Sequence, residues 1–344
     1  MHAGCYTAII TPFTKTSVDY DGLEQLVKFQ IHNGITGILA VGTTGESPTL
    51  NWNEHNRVIQ EVAENSKNQC ACIAGTGSNN SDETLSATEH AVAAGVDAVL
   101  LVDPYYNGPS SLEIRKEYVE PVAREFSTIQ VIPYVIPGRT GAQLLPEDLA
   151  ILAQNFENVG TVKEATGDLD NMKQTRKCCG TDYVILSGDD GLTFDMMTDP
   201  DIDAAGAISV ISNVAPKAVS DMVNFLNQGK ITEAKKCFTA LAPLFGLVTV
   251  KTMEKTTFGD VTCRARNPLA VKTLMNILGM PSGPCRRPLG KMTQNGIEKV
   301  LAVVRKTQAD NPEILAPVAE FFNVDIDERI NTPKHWESLS YQSY

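Results

Sequence analysis

Long hydrophobic runs, an excess of basic residues and metal-binding patterns are missing from this sequence, and each absence narrows what it can do. No stretch of about 18 apolar residues occurs, so no segment is expected to span a membrane. Lys and Arg number 29 against 41 Asp and Glu, giving a formal charge of -12 and a pI near 4.9. Nucleic acid and anionic membrane surfaces repel such a chain, and neither is expected as a partner. The eight cysteines (Cys5, Cys70, Cys72, Cys178, Cys179, Cys237, Cys263 and Cys285) include no CxxC and no Cys/His cluster at zinc spacing. Free thiols in a reducing compartment are therefore expected, not a disulfide frame. The five histidines, His2, His32, His55, His90 and His335, are isolated, and no HExxH occurs, so no metal site is expected. No Walker loop, flavin-type turn or GxGxxG after the first strand is found either. Chemistry that needs no cofactor fits. The start of the chain shows neither a signal-peptide h-region nor an Arg/Ser-rich transit segment, and the cytoplasm is the expected location.

What is present is the composition of an ordinary globular enzyme: 344 residues, 42% hydrophobic and 20% charged. Short runs rich in Val and Ile alternate with longer amphipathic ones. Strands are expected at 5–10, 38–42, 70–75, 98–102, 129–136, 159–164, 183–188 and 205–210. Most do not alternate apolar with polar residues, as befits strands buried on both faces. Between them the apolar spacing turns helical, as at Leu23, Leu26, Val27 and Ile31, at Val58, Ile59, Val62 and Ala63, and at Leu149, Leu152, Ala153 and Phe156. Ser81 reads as an N-cap and Gly95 as the matching C-cap. Eight strand–helix units in succession predict a (β/α)8 TIM barrel rather than an open doubly wound sheet. After residue 212 the strand signals stop, and helices are expected at 213–230, 231–250, 266–279, 292–307 and 312–322. The division that follows is a barrel over 1–230, a smaller C-terminal helical region over 231–322, and a tail over 323–344. The tail reads as a surface segment or as an arm on a neighbouring subunit.

Reacting groups of such a barrel sit at the C-terminal ends of its strands. Strand two runs into Gly42-Thr43-Thr44-Gly45-Glu46-Ser47. Two glycines around two hydroxyls let successive N–H groups converge into an anion-binding concavity, although a turn without a ligand would look the same. Strand six ends in Val162-Lys163-Glu164. An ammonium in a buried strand costs several kcal/mol unless it pairs or deprotonates. Such a lysine either snorkels to a carboxylate or is held neutral to attack a ketone, and position alone leaves both open. Strand five supplies Tyr134 and then Arg139, a phenol that could relay protons and a guanidinium that could clamp a carboxylate; core packing and a surface ion pair are the plainer alternatives. Tyr105-Tyr106-Asn107, Ser187-Gly188-Asp189-Asp190 and Gly206-Ala207-Ile208-Ser209 complete the rim.

Taken together, GTTGES (42–47), DPYYNGPS (103–110), YVIPGRTG (134–141), VKEATG (162–167), SGDD (187–190) and GAISV (206–210) resemble the dihydrodipicolinate synthase family, in family order from about residue 4 to about 305. The resemblance implies a lyase of the class I aldolase type in which Lys163 forms a Schiff base with pyruvate. It implies a proton relay of Thr43, Tyr134 and Tyr106, with Tyr106 reaching into a neighbouring subunit. The N–H groups of Thr43 and Thr44 would hold the pyruvate carboxylate, and Arg139 the carboxylate of L-aspartate 4-semialdehyde. Gly188 and Ile208 are counted with the substrate-binding positions. A homotetramer, a dimer of dimers, is implied, in the branch step to lysine and diaminopimelate. An inhibitory lysine pocket would fall on Ser47, Pro48, Trp52, His55, Asn79, Glu83 and Tyr105. Four departures stand out: Val135 for an asparagine, Gly138 for a serine, Trp52 for a histidine and Pro48 for a small residue. A sibling aldolase acting on sugar-derived 2-keto acids and a non-catalytic barrel sensing pyruvate or lysine are the alternatives. The resemblance says nothing of the chain after about residue 308.

Overall fold

The computed structural model describes residues 1–344. Eight parallel strands, β1 (Gly4–Ala8), β2 (Gly37–Ala40), β3 (Ala71–Gly75), β4 (Ala98–Val102), β5 (Gln130–Val135), β6 (Thr161–Glu164), β7 (Val184–Ser187) and β8 (Gly206–Ser209), close into a barrel in sequence order. Each lies within two residues of its expected bounds. The apolar runs overshoot the ladder because the chain stays buried after it leaves the sheet. Ile9 and Ile10 are 1% and 0% exposed beyond β1, where the Ile10 N–H donates to Asn213 Oδ1 at 3.0 Å.

The strands read as unbroken apolar runs because each face meets a different core. Inward-pointing Tyr6, Leu39, Ile73, Leu100, Ile132, Tyr134, Leu186 and Ile208 fill the barrel interior. Outward-pointing residues such as Ile38, Val99, Val131 and Val162 pack under the helices. These helices are α1 (Tyr20–His32), α2 (Trp52–Ser66), α3 (Ser81–Ala94), α4 (residues 111–125), α5 (Pro146–Asn155), α6 (Leu169–Cys179), α7 (Thr193–Thr198) and α8 (Pro216–Asn227). Their ends follow local chemistry. Asn51 and Glu54 close a capping box on α2, and Pro146 opens α5. Gly95 ends α3 in the left-handed region, as expected; the N-cap, however, is Asn80 and not Ser81. Asn80 wins because its Oδ1 reaches the Asp82 N–H at 3.0 Å, while the Ser81 hydroxyl donates to Glu117 O.

The expectation that strands end at residue 212 is overturned. After α9 (Ile231–Phe245), strands β9 (Thr249–Thr256) and β10 (Gly259–Arg266) form an antiparallel hairpin, registered from Thr249 opposite Arg266 to Thr256 opposite Gly259. Val250 and Thr252 are buried while Lys251 and Met253 face out, a period-two pattern that the helix expected over 231–250 partly obscured. Helices α10 (Leu269–Leu278), α11 (Gln294–Asp310), α12 (Ala316–Phe322) and α13 (Ile326–Asn331) follow. The segment after residue 322 folds onto its own chain. Arg329 donates from Nε to Ile277 O at 2.6 Å and from Nη2 to Asn276 O at 2.9 Å, placing a cation at the C-terminus of α10. Met292 bridges to Ser340. No helix is long and apolar enough to cross a membrane.

Candidate active site

The turn after β2 is shaped for an anion. Val41 is held at φ 47° although its branched side chain disfavours that region, and Glu46 sits at φ 57°. The Glu46 N–H donates to Thr43 O at 3.1 Å and the Ser47 N–H to Gly42 O at 3.3 Å. The N–H groups of Thr43 and Thr44 donate to nothing in the chain. Two free, neighbouring donors at a barrel mouth are what a carboxylate needs. Behind them, Glu46 Oε1 accepts from Lys272 Nζ at 2.7 Å, with the two side chains 0% and 1% exposed. Lys272 also donates to Thr11 O and Pro284 O, and Glu46 Oε2 accepts from the Arg286 N–H at 2.8 Å. A saturated buried ion pair therefore fixes the turn from below.

Across the barrel, register makes the second half of the site. Tyr134 on β5 is paired with Lys163 on β6, so both side chains point inward at one level. Lys163 Nζ lies 4.1 Å from the centre of the Tyr134 ring, and the lysine is only 5% exposed. Desolvation lowers the amine to about 7, and the Arg139 guanidinium pushes the same way. The carboxylate of Asp190 acts in the opposite direction but does not win. That carboxylate is occupied already: it accepts from the Ser209 hydroxyl and from the N–H groups of Val210 at 2.9 Å and Ile211 at 3.1 Å. No carboxylate lies within ion-pair distance of Lys163, so the snorkelled, paired lysine is not the arrangement found. A neutral amine near pH 7 is a nucleophile. Burial raises the Tyr134 phenol, while the Arg139 charge and the nearby Thr43 side chain pull it back. Gly188 leaves the amine its space. A Cβ there would lie 2.8 Å from Ala165 Cβ and 3.2 Å from Lys163 Cε.

One position of the candidate site has no counterpart among the residues singled out from the sequence. Asn267, where the hairpin hands the chain to α10, donates from Nδ2 to Thr44 Oγ1 at 2.8 Å. Its main-chain oxygen accepts from Arg139 Nη2 at 3.2 Å, and its own Oδ1 is buried with no partner. Asp190, expected on the rim, is the anion whose charge acts on Lys163. The SGDD string marked Asp190, but nothing local showed that it turns under β8. For Asn267 no local signal exists, because the contact joins residues 223 apart.

Thr43, Ser47, Pro48, Tyr105, Tyr134 and Arg139 line one cavity of about 210 Å³ at the C-terminal rim. Lys163, Thr44 and Gly188 lie outside its lining, and Tyr134, which lines it, is the residue that touches the amine. Ile208 is deeper, among the barrel-interior side chains. Tyr106 is not brought to this chain's cavity: it is 93% exposed and held at φ 84°. Of the expected lysine pocket, Asn79, Glu83 and Tyr105 cluster. Asn79 Oδ1 accepts from the Tyr105 N–H at 2.7 Å, and Glu83 acts on the Tyr105 phenol, helping burial to raise it. Trp52 and His55 stack edge-on at 5.0 Å on α2, His55 being kept neutral by burial that lowers it to about 4.

A (β/α)8 barrel with a desolvated lysine beneath a phenol at its C-terminal rim is built as a Schiff-base-forming lyase of the class I aldolase type. A family model described as the dihydrodipicolinate synthetase family matches residues 1–307. The 4-hydroxy-tetrahydrodipicolinate synthase of Methanococcus maripaludis is 40% identical over 292 residues, which is 85% of this chain and 94% of that protein. The crystal structure of dihydrodipicolinate synthase from Aquifex aeolicus superposes with a TM-score of 0.81 at 34% identity, covering 91% of this chain and 99% of that one. A synthase structure from Cyanidioschyzon merolae with lysine bound gives 0.80 at 30% identity, covering 89% and 99%. The chain belongs to the dihydrodipicolinate synthetase family, and its reaction is the synthase reaction of that family.

Proposed function

We propose that this chain condenses pyruvate with L-aspartate 4-semialdehyde to give 4-hydroxy-tetrahydrodipicolinate, with Lys163 as the imine-forming amine. The observation that carries this reading is the buried Nζ of Lys163, 4.1 Å from the Tyr134 ring and lowered to about 7. The Thr43 and Thr44 N–H groups hold the pyruvate carboxylate, which sets the ketone carbon against the amine. Attack gives a carbinolamine. Tyr134, with Thr43 behind it, moves the proton that lets water leave and the imine form. Loss of a methyl proton gives the enamine, whose carbon attacks the aldehyde. The amine of the second substrate then displaces Lys163 by transimination, closing the ring and freeing the lysine. Intact mass after pyruvate and borohydride tests the first step. A pyruvate-sized adduct is expected, and its absence would overturn the mechanism.

The rate of imine formation should follow the titration of the lysine. Protonated amine does not attack, so below about 7 the rate falls by about tenfold per unit, and above it the rate levels off. An amine left at its ordinary 10.5 would show no plateau near neutrality, and that profile would contradict the assignment.

The exposed Tyr106, strained at φ 84°, fits a side chain that completes the site of a second copy in a homotetramer. The cytoplasm is the setting that the free thiols suit. A lysine-binding pocket at Ser47, Trp52, His55, Asn79, Glu83 and Tyr105 is supported by the cluster around Glu83, whose carboxylate suits an ammonium. Millimolar lysine is expected to slow turnover; an unchanged rate would remove that role.

A further inference from the structure

The hairpin and the turn after β5 exchange hydrogen bonds. Arg139 Nη2 reaches the carbonyl of Asn267 at 3.2 Å, and Arg266 Nη2 reaches the carbonyl of Gly138 at 3.3 Å. Each guanidinium is thus tied to the main chain beside the other. Neither forms an ion pair or any other side-chain hydrogen bond, which leaves most donors of both forks free. Arg139 lines the cavity, and Arg266 half-emerges beside it on the last residue of β10. The Arg266 charge adds to the burial that lowers Arg139. In a chain of net charge -12, two neighbouring guanidinium groups without an ion pair, one of them lining the cavity, represent an unmet demand for an anion.

We propose that Arg266 is a specificity-determining residue that joins Arg139 in a two-guanidinium clamp for the carboxylate of the aldehyde substrate. This rests on the reaction assigned above. The pyruvate carboxylate already has its place at the Thr43 and Thr44 N–H groups, so the clamp serves the second carboxylate of the condensation. A planar carboxylate accepts paired N–H bonds from one guanidinium and a further bond from the other without competing for the same lone pairs. The hairpin makes this possible: its antiparallel register ends at Arg266 opposite Thr249, and the following Asn267 is pinned to Thr44.

The experiment is steady-state kinetics of the full chain and of Arg266→Gln and Arg266→Lys, with pyruvate and L-aspartate 4-semialdehyde varied separately. Borohydride trapping with pyruvate alone runs alongside. For Arg266→Gln the KM for the semialdehyde should rise roughly tenfold or more, the loss of one charge-assisted contact, while the KM for pyruvate and the trapping rate stay unchanged. Arg266→Lys should recover part of the loss, since it restores charge without the fork. An unchanged semialdehyde KM in Arg266→Gln overturns the proposal. Equal loss for pyruvate and semialdehyde overturns it too, because it marks a collapsed rim and not a lost contact. If the unaltered chain traps pyruvate but forms no product with the semialdehyde, the assigned reaction falls and takes the clamp with it.

Discussion

Lys163→Ala should lose turnover by roughly 10⁴-fold or more, the scale on which an enzyme fails when the group its mechanism is built on is removed. No neighbouring amine can take over. Lys272, the other deeply buried lysine, is committed to Glu46 and two carbonyls. The pyruvate adduct should vanish with activity. A variant that keeps the adduct would place the imine elsewhere. Stability should move the other way. Unfolded, the amine titrates at 10.5, and folded at about 7, so between these values the unfolded chain binds the extra proton. Stability therefore rises with pH across that window, and the penalty of burying Lys163 is fully present below it. A shift of that size corresponds to a cost on the order of 4–5 kcal/mol at the acid end. Lys163→Met, which keeps volume without charge, should consequently be inactive and more resistant to urea at pH 6 than the unaltered chain. Equal or lower resistance would mean that the amine is not desolvated as described.

Lys272→Met should cost about 3–5 kcal/mol of folding stability, because it leaves the Glu46 carboxylate buried with only a main-chain donor. Denaturant unfolding measures this, with the midpoint expected to fall and the slope to hold. Glu46 lies in the turn that presents Thr43 and Thr44, so the KM for pyruvate should rise in the same variant. The double change Glu46→Gln with Lys272→Met removes both charges and should recover much of the stability. A loss below about 1 kcal/mol in the single variant, with no recovery in the double, would show that the pair does not hold the turn.

The buried lysine and the glycine-flanked turn of the candidate site were legible where chemistry and pattern met in one short segment. Lys163 stood out because a cation inside an apolar run demands an explanation. The Thr43-Thr44 turn stood out because two glycines flank two hydroxyls after a strand. The hairpin was missed for the opposite reason: its Val and Thr alternation is short, half-exposed and adjoins a helix whose apolar spacing runs into it.

The eight buried strands, the amphipathic helices around them and the turn chemistry at their ends were all set locally, since burial on one or two faces imposes a period that neighbouring residues must obey. Which of those residues meet was settled by the closing of the barrel. The register that faces Tyr134 with Lys163, the bond from Asn267 to Thr44 across 223 residues, and the pairing of Lys272 with Glu46 across 226 all depend on barrel closure. Closure brings chain-distant groups within a few ångströms, and desolvation there, not the identity of the residue, turns a lysine at 10.5 into an amine at about 7.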